Sequence, residues 1–245
     1  MIDIHNHILP NVDDGSDSLD KTRKLLIDAI NEGITDVCIT PHFSRLDSYT
    51  YKSEQLLNKF EELKTYCIDL QINLYLGNEL MIDKDLDELL ISKQLLTLNN
   101  SRYVLVEFPF EVYKSEYDEY LYNISISGYK IIIAHPERYK YVIDNPNKYI
   151  NKWINEGYYL QCNQTSLQDR KMRSFIFNLI ENKQLHFIAS DAHNSHRPLT
   201  LIDAYKLVEK KFNCEVSKLL FIDNPKNVIN NNDVAILPKV KRHLF

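Results

Sequence analysis

Hydrophobic residues along this chain follow two alternating patterns. Short runs of apolar, often β-branched residues alternate with longer stretches in which apolar residues return every three or four positions. The first pattern is typical of buried strands and the second of amphipathic helices. The pattern predicts seven strands, at 2–4, 34–40, 72–76, 103–106, 130–134, 158–162 and 186–189.

Helices are predicted between these strands. Gly33 is a plausible end for the first helix, and Asn224-Pro225 reads as the N-cap and first position of a short last helix. The other helices are predicted at 19–30, 56–67, 86–91, 116–127, 146–155, 172–181 and 199–211. Regular alternation of strand and helix predicts a parallel α/β architecture, and either a barrel or a doubly wound open sheet fits.

Composition points to one globular domain. The 245 residues are 44% hydrophobic and 26% charged, which is enough for a sizeable core, and neither a linker-like stretch nor a repeat interrupts them. A net charge of −5 argues against a nucleic-acid partner, because phosphate neutralisation requires a basic surface. Neither a signal peptide nor an apolar run of about 20 residues is present, so no membrane insertion is expected.

Ionisable residues follow six of the seven predicted strands. In parallel α/β folds the carboxyl ends of the strands meet at one edge, so these side chains should converge. Packing so many chargeable groups together without cations would be costly, and a polynuclear metal site removes that cost. Imidazole and carboxylate ligands suit Mn, Fe or Zn. The residues are His5, His7, His42, Glu79, Glu107, His135, Asp191 and His193.

Further candidates flank this set. His5 and His7 can reach one metal together, because residues i and i+2 of an extended chain point the same way. Asp14 lies in a turn-like loop, where an exposed acid would need no function. Arg138 and Arg197 lie just beyond strand ends and could grip phosphate oxygens, although either could also be a surface arginine.

Several motifs together resemble one known family. They are MIDIHNH at 1–7, VDDG at 12–15, TPH at 40–42, AHPERY at 134–139, ASDAHN at 189–194 and FIDNP at 221–225. In this order they are similar to phosphoesterases of the PHP (polymerase and histidinol phosphatase) superfamily, and most of all to the capsule-biosynthesis tyrosine phosphatases of the CpsB/CapC type. The resemblance runs from residue 1 to about residue 230.

This resemblance implies a distorted (β/α)7 barrel formed by a single domain at 1–230, with three divalent metal ions, typically manganese. Residues 231–245 would form a C-terminal extension of unknown role. Catalytic roles fall to Arg138, Arg197, His42 and Asp191, with the two arginines binding phosphate. The implied ligand sets are His5, His7, Glu79 and Asp191 for the first metal, Glu79, Glu107 and His135 for the second, and Asp14, His42 and His193 for the third.

The resemblance also implies a function. We expect a cytoplasmic protein-tyrosine phosphatase, working by metal-activated hydroxide on the phosphorylated, Tyr-rich C-terminal tail of a bacterial tyrosine kinase that regulates capsule or exopolysaccharide synthesis. The loop Phe43-Ser44-Arg45-Leu46 departs from the basic stretch of some members, which bears on substrate preference. The oligomeric state is not predicted.

Three other interpretations fit parts of the sequence. A PHP phosphatase could act on a small phosphomonoester such as histidinol phosphate. An amidohydrolase-like enzyme also uses H-x-H on a barrel, but commonly adds a carboxylated lysine or more histidines, where this chain offers Glu107 and His135. A non-catalytic module that binds a phosphotyrosine tail would tend to have lost ligands.

The mechanism predicts how activity responds to reagents. No cysteine has the arginine six residues later that a cysteine phosphatase requires; those positions hold Ser44, Asn73, Gln168 and Leu220. Phosphate release from a phosphotyrosine peptide should therefore survive thiol alkylation and be abolished by a chelator. Activity that persists after thorough metal removal would contradict a metal-dependent mechanism.

Overall fold

The computed structural model describes residues 1–239. Residues 240–245, the end of the predicted extension, lie outside the described residues. All strand pairs are parallel, as predicted. The strands are β1 (Ile2–Asp3), β2 (Asp36–Ile39), β3 (His42–Phe43), β4 (Asn73–Leu76), β5 (Glu79–Met81), β6 (Tyr103–Glu107), β7 (Lys130–Ala134), β8 (Tyr159–Asn163) and β9 (Phe187–Ala189).

Two of these strands are continuations that the sequence did not predict. β3 follows β2 after Thr40-Pro41, and β5 follows β4 after Gly77-Asn78, in one unbroken register. One sheet has the order β1-β2-β4 and the other β3-β5-β6-β7-β8-β9, so the nine segments of residues 1–239 occupy seven strand positions. Because this spatial order is the chain order, the doubly wound alternative, which needs a reversal, is wrong.

The first and last strand positions meet at their carboxyl ends. The His7 N–H donates to the Ala192 carbonyl at 2.7 Å, and the Asp191 N–H donates to the His5 carbonyl at 2.8 Å. The Asp3 carboxylate accepts hydrogen bonds from the backbone N–H and the hydroxyl of Ser190, both at 2.7 Å. Since these contacts replace a regular β1–β9 ladder within residues 1–239, the expected α/β barrel architecture is confirmed in a distorted form.

Across residues 1–239, eight helices lie close to their predicted positions, and two short helices at Lys140–Asp144 and Cys214–Lys218 were not predicted. Ser18 accepts a hydrogen bond from the Lys21 N–H at the start of α1, and Gly33, at φ +86°, follows its end. Among the described residues no helix is both long and apolar enough to cross a membrane. The helices are α1 (Leu19–Asn31), α2 (Ser53–Tyr66), α3 (Leu86–Ile91), α4 (Glu116–Ile126), α5 (Lys140–Asp144), α6 (Pro146–Asn155), α7 (Arg170–Glu181), α8 (Ile202–Lys211), α9 (Cys214–Lys218) and α10 (Asn224–Ile229).

Alternating side chains of the strands supply two buried layers. Ile132 and Ala134 of β7 pack inside the ring of strands with Ile4 and Leu105. Ile131 and Ile133 of the same strand belong to the larger cluster that includes the helices. The three consecutive isoleucines are therefore explained by a strand that is buried on both faces, where each side chain contributes about 1.5–3 kcal/mol.

The C-terminal helix corrects one prediction. Asn224 is not an N-cap, because a π-helical turn at Leu219–Asp223 runs directly into α10 and Asn224 has helical φ/ψ of −65° and −46°. The widened turn accommodates Pro225, which lacks an N–H. The buried Asn224 side chain instead donates to the carbonyls of His186 (3.1 Å) and Ala235 (2.9 Å) and accepts the Ala235 N–H (2.9 Å).

Replacing Asn224 should therefore destabilise the protein. Asn224→Ala leaves buried backbone groups unpaired, and we expect a loss of about 3 kcal/mol, or roughly 6–12 °C in Tm. Thermal unfolding measures this loss. The exposed helical Asn58 provides the control, because Asn58→Ala should leave Tm unchanged. Equal Tm values for both variants and the parent would contradict the assigned anchoring role.

Candidate metal centre

The nine predicted ligands converge at the carboxyl ends of the strands. His5 and His7 follow β1, His42 and Glu79 begin β3 and β5 opposite one another, and Glu107 ends β6. The others lie on loops after β1, β7 and β9, namely Asp14, His135, Asp191 and His193. Seven of the nine line a cavity of about 210 Å³. His5 and His7 do not line it themselves, but both contact Glu79, which does.

The deepest group surrounds one carboxylate oxygen. Oε2 of Glu79 is 3.1 Å from Nε2 of His5 and 3.1 Å from Nε2 of His7. Oδ1 of Asp191 is 3.6 Å and 3.5 Å from the same two nitrogens. All four side chains are at most 3% exposed. This group corresponds to the first ligand set that the resemblance implies.

The other oxygen of Glu79 faces a second group. Its Oε1 lies 3.0 Å from Nε2 of His135, which is also 3.8 Å from Oε2 of Glu107. His42 closes this group from the far side, with Nδ1 2.8 Å from Oε1 of Glu107 and 3.2 Å from Oε2 of Glu79. Glu79 therefore faces two groups at once, as a bridging ligand does.

A third group lies nearer to solvent. Oδ1 of Asp14 is 3.7 Å from Nε2 of His42 and 3.5 Å from Nε2 of His193. His7 has a ring nitrogen within reach of the same three side chains. His42 thus presents Nδ1 to the second group and Nε2 to the third, so the geometry of the ligands alone does not assign it to one of them.

Some buried polar atoms of the cluster lack hydrogen bonds, as expected of atoms that bind cations. Oε2 of Glu79 and Nδ1 of His42 are buried, and neither has a hydrogen bond of acceptable geometry. Three imidazole nitrogens nevertheless surround that oxygen within 3.2 Å. Buried polar atoms are otherwise almost always satisfied, and a divalent cation between these atoms would satisfy the oxygen and the nitrogens together.

Without a cation, the carboxylates attract protons to the imidazoles. Burial lowers the pKa of His7, but Asp13, Asp191 and Glu79 outweigh burial and raise this pKa well above its usual value. Burial and the charge of His7 lower the pKa of His42, whereas Glu79 and Glu107 raise it to a net value of about 9. Protons and divalent cations therefore compete for the same nitrogens.

Neighbouring side chains orient the imidazoles. Nδ1 of His7 donates to Oδ2 of Asp13 at 2.8 Å, and Nδ1 of His5 donates to Oε1 of Gln161 at 2.7 Å. When the imidazole is neutral, each hydrogen bond keeps the proton on Nδ1 and leaves Nε2 as the unprotonated nitrogen facing the cluster, which is the tautomer that binds metals. Asp13 also accepts the backbone N–H groups of His42 (3.0 Å) and Gly15 (3.1 Å).

These orienting residues were not predicted. Only Asp14 was singled out in the Asp13–Gly15 segment, and β8 was the one predicted strand without an ionisable residue at its end. That strand supplies Gln161 and Asn163, whose amide donates to Oδ2 of Asp191 at 2.6 Å. Their position at a strand end was the available signal, because they occupy the place where the other strands carry ligands.

Backbone geometry also serves the cluster. A Cβ atom on Gly15 would lie 1.8 Å from the carbonyl oxygen of His7, so only glycine allows this loop to approach the histidines. Asp191 and His135 have left-handed φ angles of +52° and +33°. Such angles are strained for non-glycine residues and are retained where the surrounding structure enforces them.

Two arginines lie at the mouth of the cavity. Nη1 of Arg138 is 2.9 Å and Nη2 of Arg197 is 2.7 Å from Oδ2 of Asp191. Both arginine side chains are about one-third exposed. Their guanidinium groups present several N–H donors to the cavity, an arrangement suited to a tetrahedral oxyanion.

The cavity has further walls that were not predicted. Asp47 and Tyr49 lie on the loop after β3, Met81 ends β5, and Phe110 follows β6. The Tyr49 ring stacks on His42, with centroids 5.8 Å apart and an interplanar angle of 11°. Tyr49, Met81 and Phe110 carry no metal-ligand signal in a sequence, and only their position at or after strand ends indicated them.

A distorted parallel barrel with clustered imidazoles and carboxylates at its carboxyl edge defines the class of metal-dependent barrel hydrolases. The chain belongs to the CpsB/CapC family of capsular polysaccharide synthesis, whose family model matches residues 1–230. The family expectation from the motifs is therefore confirmed.

Relatives match over nearly the whole chain. CapC of Staphylococcus aureus is 34% identical over 96% of this chain and 93% of its own length. The tyrosine-protein phosphatase YwqE of Bacillus subtilis is 31% identical over 97% of this chain and 95% of its own. The tyrosine-protein phosphatase CpsB of Streptococcus pneumoniae is 31% identical over 94% and 98%, respectively.

Solved structures agree with these relatives. A structure from work on YwqE of B. subtilis and CpsB of S. pneumoniae, described as unique metal-dependent tyrosine phosphatases, superposes with a TM-score of 0.91 at 30% identity, covering 97% of this chain and 98% of that one. A histidinol phosphate phosphatase of Lactococcus lactis shares the fold at 17% identity and a TM-score of 0.55, covering 86% and 92%.

The orienting role of Asp13 gives a prediction for metal affinity. Asp13→Ala removes the acceptor that holds His7, and we expect Mn²⁺ affinity to fall roughly 10–100-fold. Competition with a calibrated chelator measures the affinity directly. Asp17→Ala, an exposed change near the same loop, should bind Mn²⁺ like the parent. Unaltered affinity in Asp13→Ala would show that His7 needs no such support.

Proposed function

We propose that this chain is a metal-dependent protein-tyrosine phosphatase. Its substrate would be the phosphorylated, Tyr-rich C-terminal tail of a bacterial tyrosine kinase that regulates capsule or exopolysaccharide synthesis. Family membership and the relatives named as tyrosine-protein phosphatases support the activity. The observation that carries the proposal is the buried Glu79 carboxylate amid imidazoles, with two arginines at the mouth of the same cavity.

The proposed cofactors are three divalent cations, with manganese preferred over iron or zinc. Glu79 would bridge the first two sites, because its two oxygens face different groups. The ligands would be His5, His7, Glu79 and Asp191 for the first, Glu79, Glu107 and His135 for the second, and Asp14, His42 and His193 for the third. When bound, such cations polarise phosphoryl oxygens and lower the pKa of water to supply a nucleophile.

Arg138 and Arg197 would bind the phosphoryl oxygens. Both guanidinium groups now pair with Oδ2 of Asp191, while Oδ1 of this residue faces His5 and His7. Asp191 therefore connects the phosphate-binding arginines to the deepest ligand group and fixes the distance between them. Positive groups held in advance stabilise the charge that develops on the equatorial oxygens during transfer.

The leaving group sets modest demands on the protein. The phenol of tyrosine has a pKa of about 10, so tyrosinate departs more easily than an alkoxide. Little proton donation is then required of the cavity wall. His42 would act by holding a metal ion beside the substrate, and Asp191 by holding a metal ion and the two arginines. His42 is the more accessible of the two, with 16% of its side chain exposed.

The proposed domain is residues 1–230, with residues 231–245 as an extension. Within the described part of that extension, Ala235 pairs with Asn224, and the carbonyl of Asn232 accepts the Tyr103 hydroxyl at 2.7 Å. These contacts place the segment against the amino ends of the strands, away from the metal cluster. A cytoplasmic location would give the enzyme access to a kinase tail.

Two alternatives have less support. The histidinol phosphate phosphatase relationship is one of fold alone. A non-catalytic phosphotyrosine-binding module would not need the full set of nine ligands, all of which are present and converge.

Activity and substrate choice test the proposal together. The Mn²⁺-loaded protein should hydrolyse a phosphotyrosine peptide with a much larger kcat/KM than histidinol phosphate. His42→Ala removes a group that faces both the second and third ligand sets, and kcat should fall at least about 100-fold. His196→Ala, an exposed histidine outside the cavity lining, is the matched control.

Two outcomes would contradict the proposal. Preference for histidinol phosphate would favour the small-substrate phosphatase. Tight binding of the phosphotyrosine peptide without turnover, with Mn²⁺ bound, would favour the non-catalytic module.

A further inference from the structure

Two aromatic side chains line a cavity that is otherwise mostly charged. Tyr49 and Phe110 belong to loops after β3 and β6. Phe110 is 38% exposed, although apolar rings gain by burial. An accessible phenyl ring in the wall of a polar cavity offers a contact surface for an apolar part of a ligand.

Tyr49 is held by a short hairpin. The backbone N–H of Ser44 donates to the Tyr49 carbonyl, and the Tyr49 N–H donates to the Ser44 carbonyl, both at 2.9 Å. The Ser44 hydroxyl donates to Asp47 at 2.6 Å and braces the turn. The Tyr49 ring is thereby kept almost parallel to the imidazole of His42.

Phe110 is held on another wall. Its carbonyl accepts the Lys140 N–H at 2.9 Å. Its ring centroid is 5.8 Å from that of His135 and 4.7 Å from Cζ of Arg138. Phe110 therefore contacts both a candidate ligand and a candidate phosphate-binding arginine.

The rings of Tyr49 and Phe110 lie on different sides of the Glu79 and Glu107 carboxylates, because each ring packs against a different imidazole. His42 faces Oε2 of Glu79 and Oε1 of Glu107, whereas His135 faces Oε1 of Glu79 and Oε2 of Glu107. The imidazoles thus bracket the carboxylate pair, with Tyr49 against one imidazole and Phe110 against the other. A phosphoryl group bound over the carboxylates would carry its ester substituent out past both rings.

We propose that Tyr49 and Phe110 form an aromatic slot that binds the ring of an aryl phosphomonoester and selects aryl over alkyl substrates. The inference rests on the proposed phosphatase function and deepens it by naming specificity-determining residues. A planar ring can stack in offset or edge-to-face contact with the two walls, while a short alkyl chain leaves them in contact with water. Histidinol phosphate is an alkyl ester, so it has no ring on its ester oxygen to occupy the slot.

Binding of non-hydrolysable phosphonates tests the slot separately from turnover. Isothermal titration calorimetry of the Mn²⁺-loaded protein would compare phenylphosphonate with methylphosphonate. The parent should bind the phenyl ligand at least about tenfold more tightly, and Tyr49→Leu or Phe110→Leu should remove most of that preference. Methylphosphonate affinity should change little in both variants, which also shows that they fold and load metal.

Tyr49→Phe is the matched control, since it keeps the ring and removes the hydroxyl. It should retain the phenyl preference. Equal loss of both ligands in the leucine variants, a parent without preference, or a Tyr49→Phe variant as impaired as Tyr49→Leu would overturn the slot. If the parent does not hydrolyse a phosphotyrosine peptide but keeps the phenyl preference, the proposed phosphatase function is wrong and the aromatic slot still stands as a binding site.

Discussion

The structure depends on the buried negative charge of Glu79. This carboxylate is 1% exposed, and its Oε2 has no hydrogen-bond donor of acceptable geometry. An isolated buried carboxylate would cost several kcal/mol or take up a proton. Here four imidazoles surround the carboxylate, and His5 and His7 bring their Nε2 atoms within 3.4 Å of one another. Bound divalent cations, as proposed, would make such a cluster favourable.

The fold provides this convergence through parallel strands whose ends share one edge. The parallel register of β3 and β5 places His42 beside Glu79, and that of β5 and β6 places Glu107 beside Met81. β8 contributes orientation instead of ligands, through Gln161 and Asn163. The closing contacts between His5, His7 and the Asp191–Ala192 segment are short backbone hydrogen bonds, so the seam of the barrel carries part of the candidate metal centre.

Much of this arrangement could be predicted from the sequence. Apolar, β-branched runs such as 131–134 and strongly periodic helices such as α6 have one stable interpretation, and the candidate ligands follow the strands directly. The extensions β3 and β5 were missed because Pro41 and Gly77 mark breaks, while the strands resume after them. Asn224 was misassigned because Asn-Pro is typical of a helix start, whereas tertiary hydrogen bonds decide its role. The wall residues Tyr49 and Phe110 depend on loop conformation, which local pattern does not determine.

Anomalous diffraction from crystals grown with Mn²⁺ would test the central claim most directly. The account predicts manganese peaks on both sides of the Glu79 carboxylate, within bonding distance of the Nε2 atoms of His5 and His135, and a third peak near Asp14. A pocket without manganese under these conditions, or manganese bound only elsewhere on the protein, would contradict it.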